Sequence, residues 1–176
     1  MAEMEDELID RIQAAVRNQR GIPAPEARSW LQNSSLSVLT AATDVILEHP
    51  EKIEPRLTLE ETCEAVRNYY KKCLYEDVES EFVPSFHIAG YELVRWFRNL
   101  WNDTSVPRSH LTDLKVMLAE MYKAFDQKKA DRLVNAVIEH LFETPAIVDF
   151  FSDWKIDPAL VRGYARALEW VEKRPS

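Results

Sequence analysis

Four histidines and two cysteines are the side chains best able to do chemistry in this chain. His49, His87, His110 and His140 form no His-Glu-x-x-His zinc motif. Nor does a Glu-x-x-His pair of the carboxylate di-metal bundles occur, because His140-Leu-Phe-Glu143 runs in the reverse order. Helical spacing would still set His140 and Glu143 on one face, so a site completed by Glu139 or His110 is the one enzyme-like constellation available. Cys63 and Cys73 lie ten residues apart on one expected helix, which separates them by roughly 15 Å. A disulfide requires Cα atoms within about 7 Å, so these thiols are expected to stay reduced. Glu60, Glu61 and Glu64 should raise the Cys63 pKa, while Lys71 and Lys72 give Cys73 a better setting without supplying a base. No nucleophile elbow, phosphate loop or dinucleotide fingerprint is present. With Gly21, Gly90 and Gly163 as the only glycines, a glycine-rich phosphate cradle is excluded. No cofactor and no metal are expected.

Charge provides the strongest lead. Residues 1–89 carry 17 acidic and 9 basic side chains, whereas residues 90–176 carry 13 of each, so the whole net charge of −8 belongs to the first half. Acids concentrate at Glu3, Glu5, Asp6, Glu7 and Asp10, and again at Glu76, Asp77, Glu79 and Glu81. Such a surface repels phosphate backbones and attracts cations. Arg95, Arg98 and Arg108 near Tyr91, Trp96 and Trp101 could suggest nucleic-acid stacking. Those aromatics, however, fall at helical core spacing in an acidic protein, so they read as core with a cationic rim. The expected partner is a cationic protein, with no nucleic acid and no membrane. The residues expected to meet it are Glu60, Glu61, Glu64, Glu76, Asp77, Glu79 and Glu81.

The elements that must position these groups read as helices throughout. Hydrophobic residues make up 46% of the chain, enough for a core, and the shortage of glycine argues against sheet-rich folds. A first helix is expected from about Glu3 to Arg20, with Leu8, Ile9, Ile12, Ala15 and Val16 as its stripe and Gly21 as its stop. Pro25 opens a brief helix through Trp30. Ser34 or Ser35 caps one over 36–48, which ends at His49-Pro50. Thr58 with Glu61 makes a capping box for a helix over 59–75. The acidic stretch 76–81 reads as a linker. Ser85 caps an apolar helix over 86–102 in which Leu93, Trp96 and Phe97 face inward and Tyr91, Val94 and Trp101 widen the face. Helices over 110–125 and 130–143 read as an antiparallel hairpin. Thr144-Pro145 and Asp157-Pro158 start the last two. The fold class is all-α, an irregular bundle of about 7–9 helices with antiparallel hairpins in its C-terminal half. It could form one domain, or an acidic subdomain over 1–80 and a bundle over 81–176.

No run of 18 apolar residues occurs, and the N-terminus is acidic where a secretory signal would be basic and then apolar, so a cytoplasmic location is expected. The segment Val134-Asn-Ala-Val-Ile-Glu-His-Leu-Phe-Glu143, followed by Phe150-Phe-Ser-Asp-Trp154, resembles a pattern in small acidic helical proteins of bacteria, some of them similar to immunity proteins encoded beside polymorphic toxins. The resemblance spans residues 90–170 and rests on packing residues. It implies an all-helical domain and transfers no functional residue. The leading expectation is therefore a non-enzymatic protein-binding protein, most concretely an immunity protein that neutralises a bacterial toxin. The alternatives are a regulatory or adaptor protein and an enzyme with an unrecognised helical site.

Overall fold

The computed structural model describes residues 2–18 and 20–174. The chain divides into two compact units, Met1–Ser85 and Phe86–Ser176. Both are all-α multi-helix assemblies, and the described residues hold nine helical rods.

In the first unit, α1 (Ala2–Arg17) stops four residues before Gly21 and buries Ile9 and Ile12. Next come α2 (Ala24–Leu31), α3 (Leu36–Glu48) and α4 (Leu59–Glu76). The caps explain the boundaries. Ser35 Oγ accepts from the Val38 N–H at 3.5 Å and also donates to Glu5 Oε2 at 3.1 Å, tying the start of α3 to α1. Thr58 and Glu61 form the complete capping box at the start of α4. The two proline-bearing connections form something that helical periodicity does not signal. Ile22–Pro23 (β1) and Ile53–Glu54 (β2) pair in parallel, with Ile22 opposite Ile53 and both side chains buried. Tertiary packing brings these segments together, and two residues are too few to register as a strand pattern. Trp30 is fully buried in this unit's core with Val38, Ile46, Val66 and Leu74. Leu59 is exposed on the first turn of α4.

In the second unit, α5 (Phe86–Asn102) and α6 (Arg108–Ala124) lead through a short turn to a long rod. That rod comprises α7 (Gln127–Leu133), a π turn (Val134–Ile138) and α8 (Glu139–Phe142). Glu139 donates its backbone N–H to the Val134 carbonyl five residues back, the bond that defines the π turn. Leu133, Val134, Val137, Ile138, Leu141 and Phe142 are all essentially solvent-free, so the rod lies at the centre. Contacts at Arg132–Phe86, Ala136–Gly90 and His140–Arg98 advance together along the rod and α5, which makes the two parallel. α6 joins the end of one to the start of the other and so runs antiparallel to both, the expected hairpin geometry. After α9 (Pro145–Phe150) and a 3-10 turn (Ser152–Lys155), α10 (Val161–Glu172) also runs parallel to the rod. Arg162 and Arg166 meet Asp131, and Arg174 meets Glu143.

Two expectations for this unit are corrected. Tyr91 is 62% exposed and does not widen the core; its ring stands at the rim, edge-on to His140. The last helix starts at Val161, since Asp157 accepts from the Ala159 N–H at 2.9 Å and forms a separate turn. Of the arginine–tryptophan group, Trp96 is buried and Trp101 stacks on Phe97 with the Arg108 guanidinium 4.0 Å from its ring centre, which is core with a cationic rim.

Gly90 sets how closely α5 meets the π turn. A Cβ there would lie 2.8 Å from the Ala136 Cβ and 3.1 Å from the Ala136 carbonyl oxygen, atoms held by the rod's backbone. Alanine is the better helix former by about 1 kcal/mol. Overpacking against backbone should outweigh that gain, so Gly90→Ala is expected to destabilise the C-terminal unit by about 1–3 kcal/mol. Thermal unfolding checks this, and an unchanged or raised Tm would show that α5 can move off the rod.

Candidate functional site

The acids singled out by the sequence do not form one cluster. Glu60, Glu61 and Glu64 sit on the first turns of α4, while Glu76 and Asp77 close it and Glu79 and Glu81 follow. Sixteen residues of helix separate Glu60 from Glu76, about 24 Å. Glu60 and Glu64 are exposed. Glu61 is committed within its own unit: it accepts from the Arg28 Nε at 2.8 Å and from the Thr58 backbone N–H at 2.8 Å. The Arg28 hydrogen bond above all, then that of Thr58, hold its carboxyl down at about 2. Its charge is already matched by Arg28 and is not offered outward.

The second group lies where helix physics disfavours it. A helix C-terminus carries partial negative charge, which cations there would offset. α4 has no basic residue in its last turn and ends in Glu76 and Asp77. Lys72 reaches Glu76 at 2.6 Å, an exposed i,i+4 pair of small energetic weight. Asp77 takes the left-handed conformation (φ 52°), a C-capping geometry that aspartate tolerates better than most residues. The next residues do not trail off as a linker. Ser80 and Val83 exchange backbone hydrogen bonds of 3.4 Å, making a tight turn with Glu81 and Phe82 at its corners. Val83 is buried and anchors the turn. Tyr75, Val78 and Phe82 remain 38%, 46% and 44% exposed among Glu76, Glu79 and Glu81. Tyr75 is exposed because it lies off the Val66–Tyr70–Cys73–Leu74 face of α4, and Phe82 because it sits at the corner of the Ser80–Val83 turn.

In the C-terminal unit, the enzyme-like constellation resolves into a clamp. His140 Nδ1 lies 3.2 Å from Glu143 Oε1. The Arg98 guanidinium donates to Glu143 Oε2 at 2.9 Å and also to the His140 carbonyl, and Arg174 donates to Glu143 Oε1. The His140 ring packs edge-on to Tyr91 and Trp170. Burial alone would raise the Glu143 carboxyl, but the bonds from Arg98, His140 and Arg174 outweigh it and the pKa is lowered. Glu139, buried next door, is raised by desolvation against the pull of Arg166 and His140. Together these groups give the His140 carbonyl a partner near the end of the rod and lock α5 and α10 to it. His110 is buried at the start of α6. Among the described residues, no group of three or more His, Cys, Asp or Glu side chains is placed to hold a metal ion.

Both cysteines are buried thiols outside any disulfide. The Cys63 thiol is pushed up to about 11, by burial first and the Glu60 charge second, so it is a poor nucleophile. No helix among the described residues is long and apolar enough to cross a membrane. Comparison with protein-family models, with curated proteins and with solved structures finds no match.

Two acid-side predictions follow from the lowered carboxyls. A group with a depressed folded-state pKa contributes stability above its unfolded pKa, and that contribution is lost as pH falls through the folded value. For Glu61 this window runs from about 4.5 down to about 2, so Glu61→Gln should flatten the pH dependence of unfolding there. Glu143→Gln should lower the stability of the C-terminal unit by about 1–2 kcal/mol at neutral pH, since Arg98 and Arg174 lose a half-buried anionic partner. Chemical denaturation at pH 7 and pH 3 reads both, and a Glu143→Gln deficit as large at pH 3 as at pH 7 would assign the effect to packing.

Proposed function

We propose that this chain is a non-enzymatic protein-binding protein whose acidic N-terminal unit engages a cationic protein. In its most concrete form it is an immunity protein that covers the cationic active site of a toxin domain. The observation that carries the reading is the segregation of charge: the net −8 falls within the unit Met1–Ser85, and Phe86–Ser176 is balanced. In the balanced unit, Arg98, Arg162, Arg166, Arg174, Lys115 and Lys123 all face carboxylates of that same unit. In the acidic unit, Glu60, Glu64, Glu79 and Glu81 point to solvent. A domain with one uncompensated sign of charge steers an oppositely charged partner into encounter and accelerates association. Toxins that act on nucleic acid carry that opposite sign, because they must neutralise phosphates. An adaptor or regulatory role would use the same surface on another cellular protein, and the partner's identity separates the two.

The test is an affinity pull-down of the full chain from its native host at low and moderate salt. The immunity reading expects one stoichiometric, basic product of a neighbouring gene, while a basic partner encoded elsewhere favours the adaptor reading. Replacing Glu60, Glu64, Glu79 and Glu81 by lysine brings the net charge from −8 to zero. Association with the recovered partner should then slow about tenfold or more at low salt, with the difference shrinking as salt screens it. Unchanged association kinetics would remove the electrostatic mechanism.

A further inference from the structure

Charge steering brings a partner near but does not seat it, and the acidic unit carries an apolar surface that its own fold leaves uncovered. Tyr75, Val78 and Phe82 fall within one eight-residue stretch, each more than a third exposed. Phe82 occupies a corner of the Ser80–Val83 turn, where Gly, Asn, Asp, Ser or Pro would serve the backbone better. A polar residue would suit that corner, and the buried Val83 already anchors the turn, so folding does not account for an aromatic ring in water. Aromatic side chains in such positions are the usual anchors of protein interfaces.

We infer that Tyr75, Val78 and Phe82 form a docking surface for a cationic amphipathic segment of a protein partner, apolar side chains seating on these three residues while lysines or arginines meet Glu76, Glu79 and Glu81. This inference rests on the reading of the preceding subsection and deepens it. Charge complementarity selects the occupant. The surface combines three apolar side chains, an acidic rim and the negative C-terminal end of α4, so basic groups beside an apolar face satisfy all three features. A membrane with anionic headgroups and a nucleic acid are both repelled by that rim. A second copy joined symmetrically through this surface would set Glu79 and Glu81 against their own counterparts, like charge on like charge.

The experiment uses the full chain and three fluorescein-labelled synthetic peptides of equal length. One carries lysine and leucine at amphipathic helical spacing, one is all lysine, and one replaces the lysines of the first by glutamate. By fluorescence anisotropy, the lysine–leucine peptide should bind about tenfold or more tighter than the all-lysine peptide, and the glutamate–leucine peptide should not bind. Phe82→Ala should weaken the lysine–leucine peptide about fivefold or more, with Val78→Ala an independent report of the same surface. Ile156→Ala removes a side chain that is 84% exposed in the other unit and should change nothing. All three variants should keep the wild-type Tm. Equal binding of the two lysine peptides, or indifference to both Phe82→Ala and Val78→Ala, would overturn the proposal in favour of a diffuse polyanionic surface. Self-association of the chain that Phe82→Ala abolishes, read by sedimentation, would overturn it in favour of a second copy. The wider reading fails separately: a host partner that binds the Phe82→Ala protein at full strength keeps that reading and overturns this surface. Phe82-dependent peptide binding with no cationic host partner does the reverse.

Discussion

A helix buried on nearly every side has nowhere to send its unsatisfied ends, and this constraint organises the C-terminal unit. The rod from Gln127 to Phe142 turns Leu133, Val137, Ile138 and Leu141 wholly away from solvent. Its first turn is capped by Asp126, which accepts from the Lys129 N–H at 2.8 Å. Its last turn is closed by the Arg98 side chain on the His140 carbonyl, with Glu143 binding Arg98 and Arg174 in turn. Flanking helices α5 and α10 lie parallel to the rod, so the return strokes fall to α6 and to the segment through α9. Those strokes carry the aromatic core: Phe151 packs on Phe97, Phe142 and Trp154 with ring centres 5.1–6.2 Å apart. Gly90 permits a close backbone approach opposite Ala136 at the π turn.

The two units handle charge in opposite ways. In the C-terminal unit, acids and bases are equal in number and the ion pairs staple helices to one another. The one histidine–carboxylate pair that resembled chemistry is among these staples. In the N-terminal unit, Glu61 does comparable structural work by capping α4 and holding Arg28 of α2, and Glu5 and Glu26 link α1 to Ser35 and to α2. The acids at the end of α4 stand against the helix dipole. A fold that needed only stability would place lysine or arginine there. Negative charge beside exposed rings is the feature on which the proposed docking surface rests.

Much of this was legible in the residues. The cap signals at Ser35 and Thr58 mark the starts of α3 and α4, and the inward stripes of α3, α5 and α6 fall as their periodicity requires, with Tyr91 an exception. The misses share one cause, which is that they depend on what lies across from a segment. The spacing 133, 134, 137, 138, 141, 142 fits an unbroken α-helix, and nothing in it signals a π turn. Ile22 and Ile53 pair only because two loops meet. Asp157 carries a start signal, but the chain spends it on a turn before α10 begins.

By itself the sequence determined the helical class, most helix boundaries and the placement of all net charge before residue 90. These are local properties, set by side-chain periodicity, capping chemistry and composition. Only the tertiary structure decided which acids remain available. It committed Glu61 to Arg28, kept Glu60 and Glu64 exposed about 24 and 18 Å along the helix from Glu76, and turned 76–83 into a compact turn with Phe82 at its corner. Likewise it placed His140 and Glu143 between two arginines drawn from distant positions, Arg98 and Arg174. Availability of a charge is a property of its neighbours in space. The chain brings those neighbours together only when its helices pack.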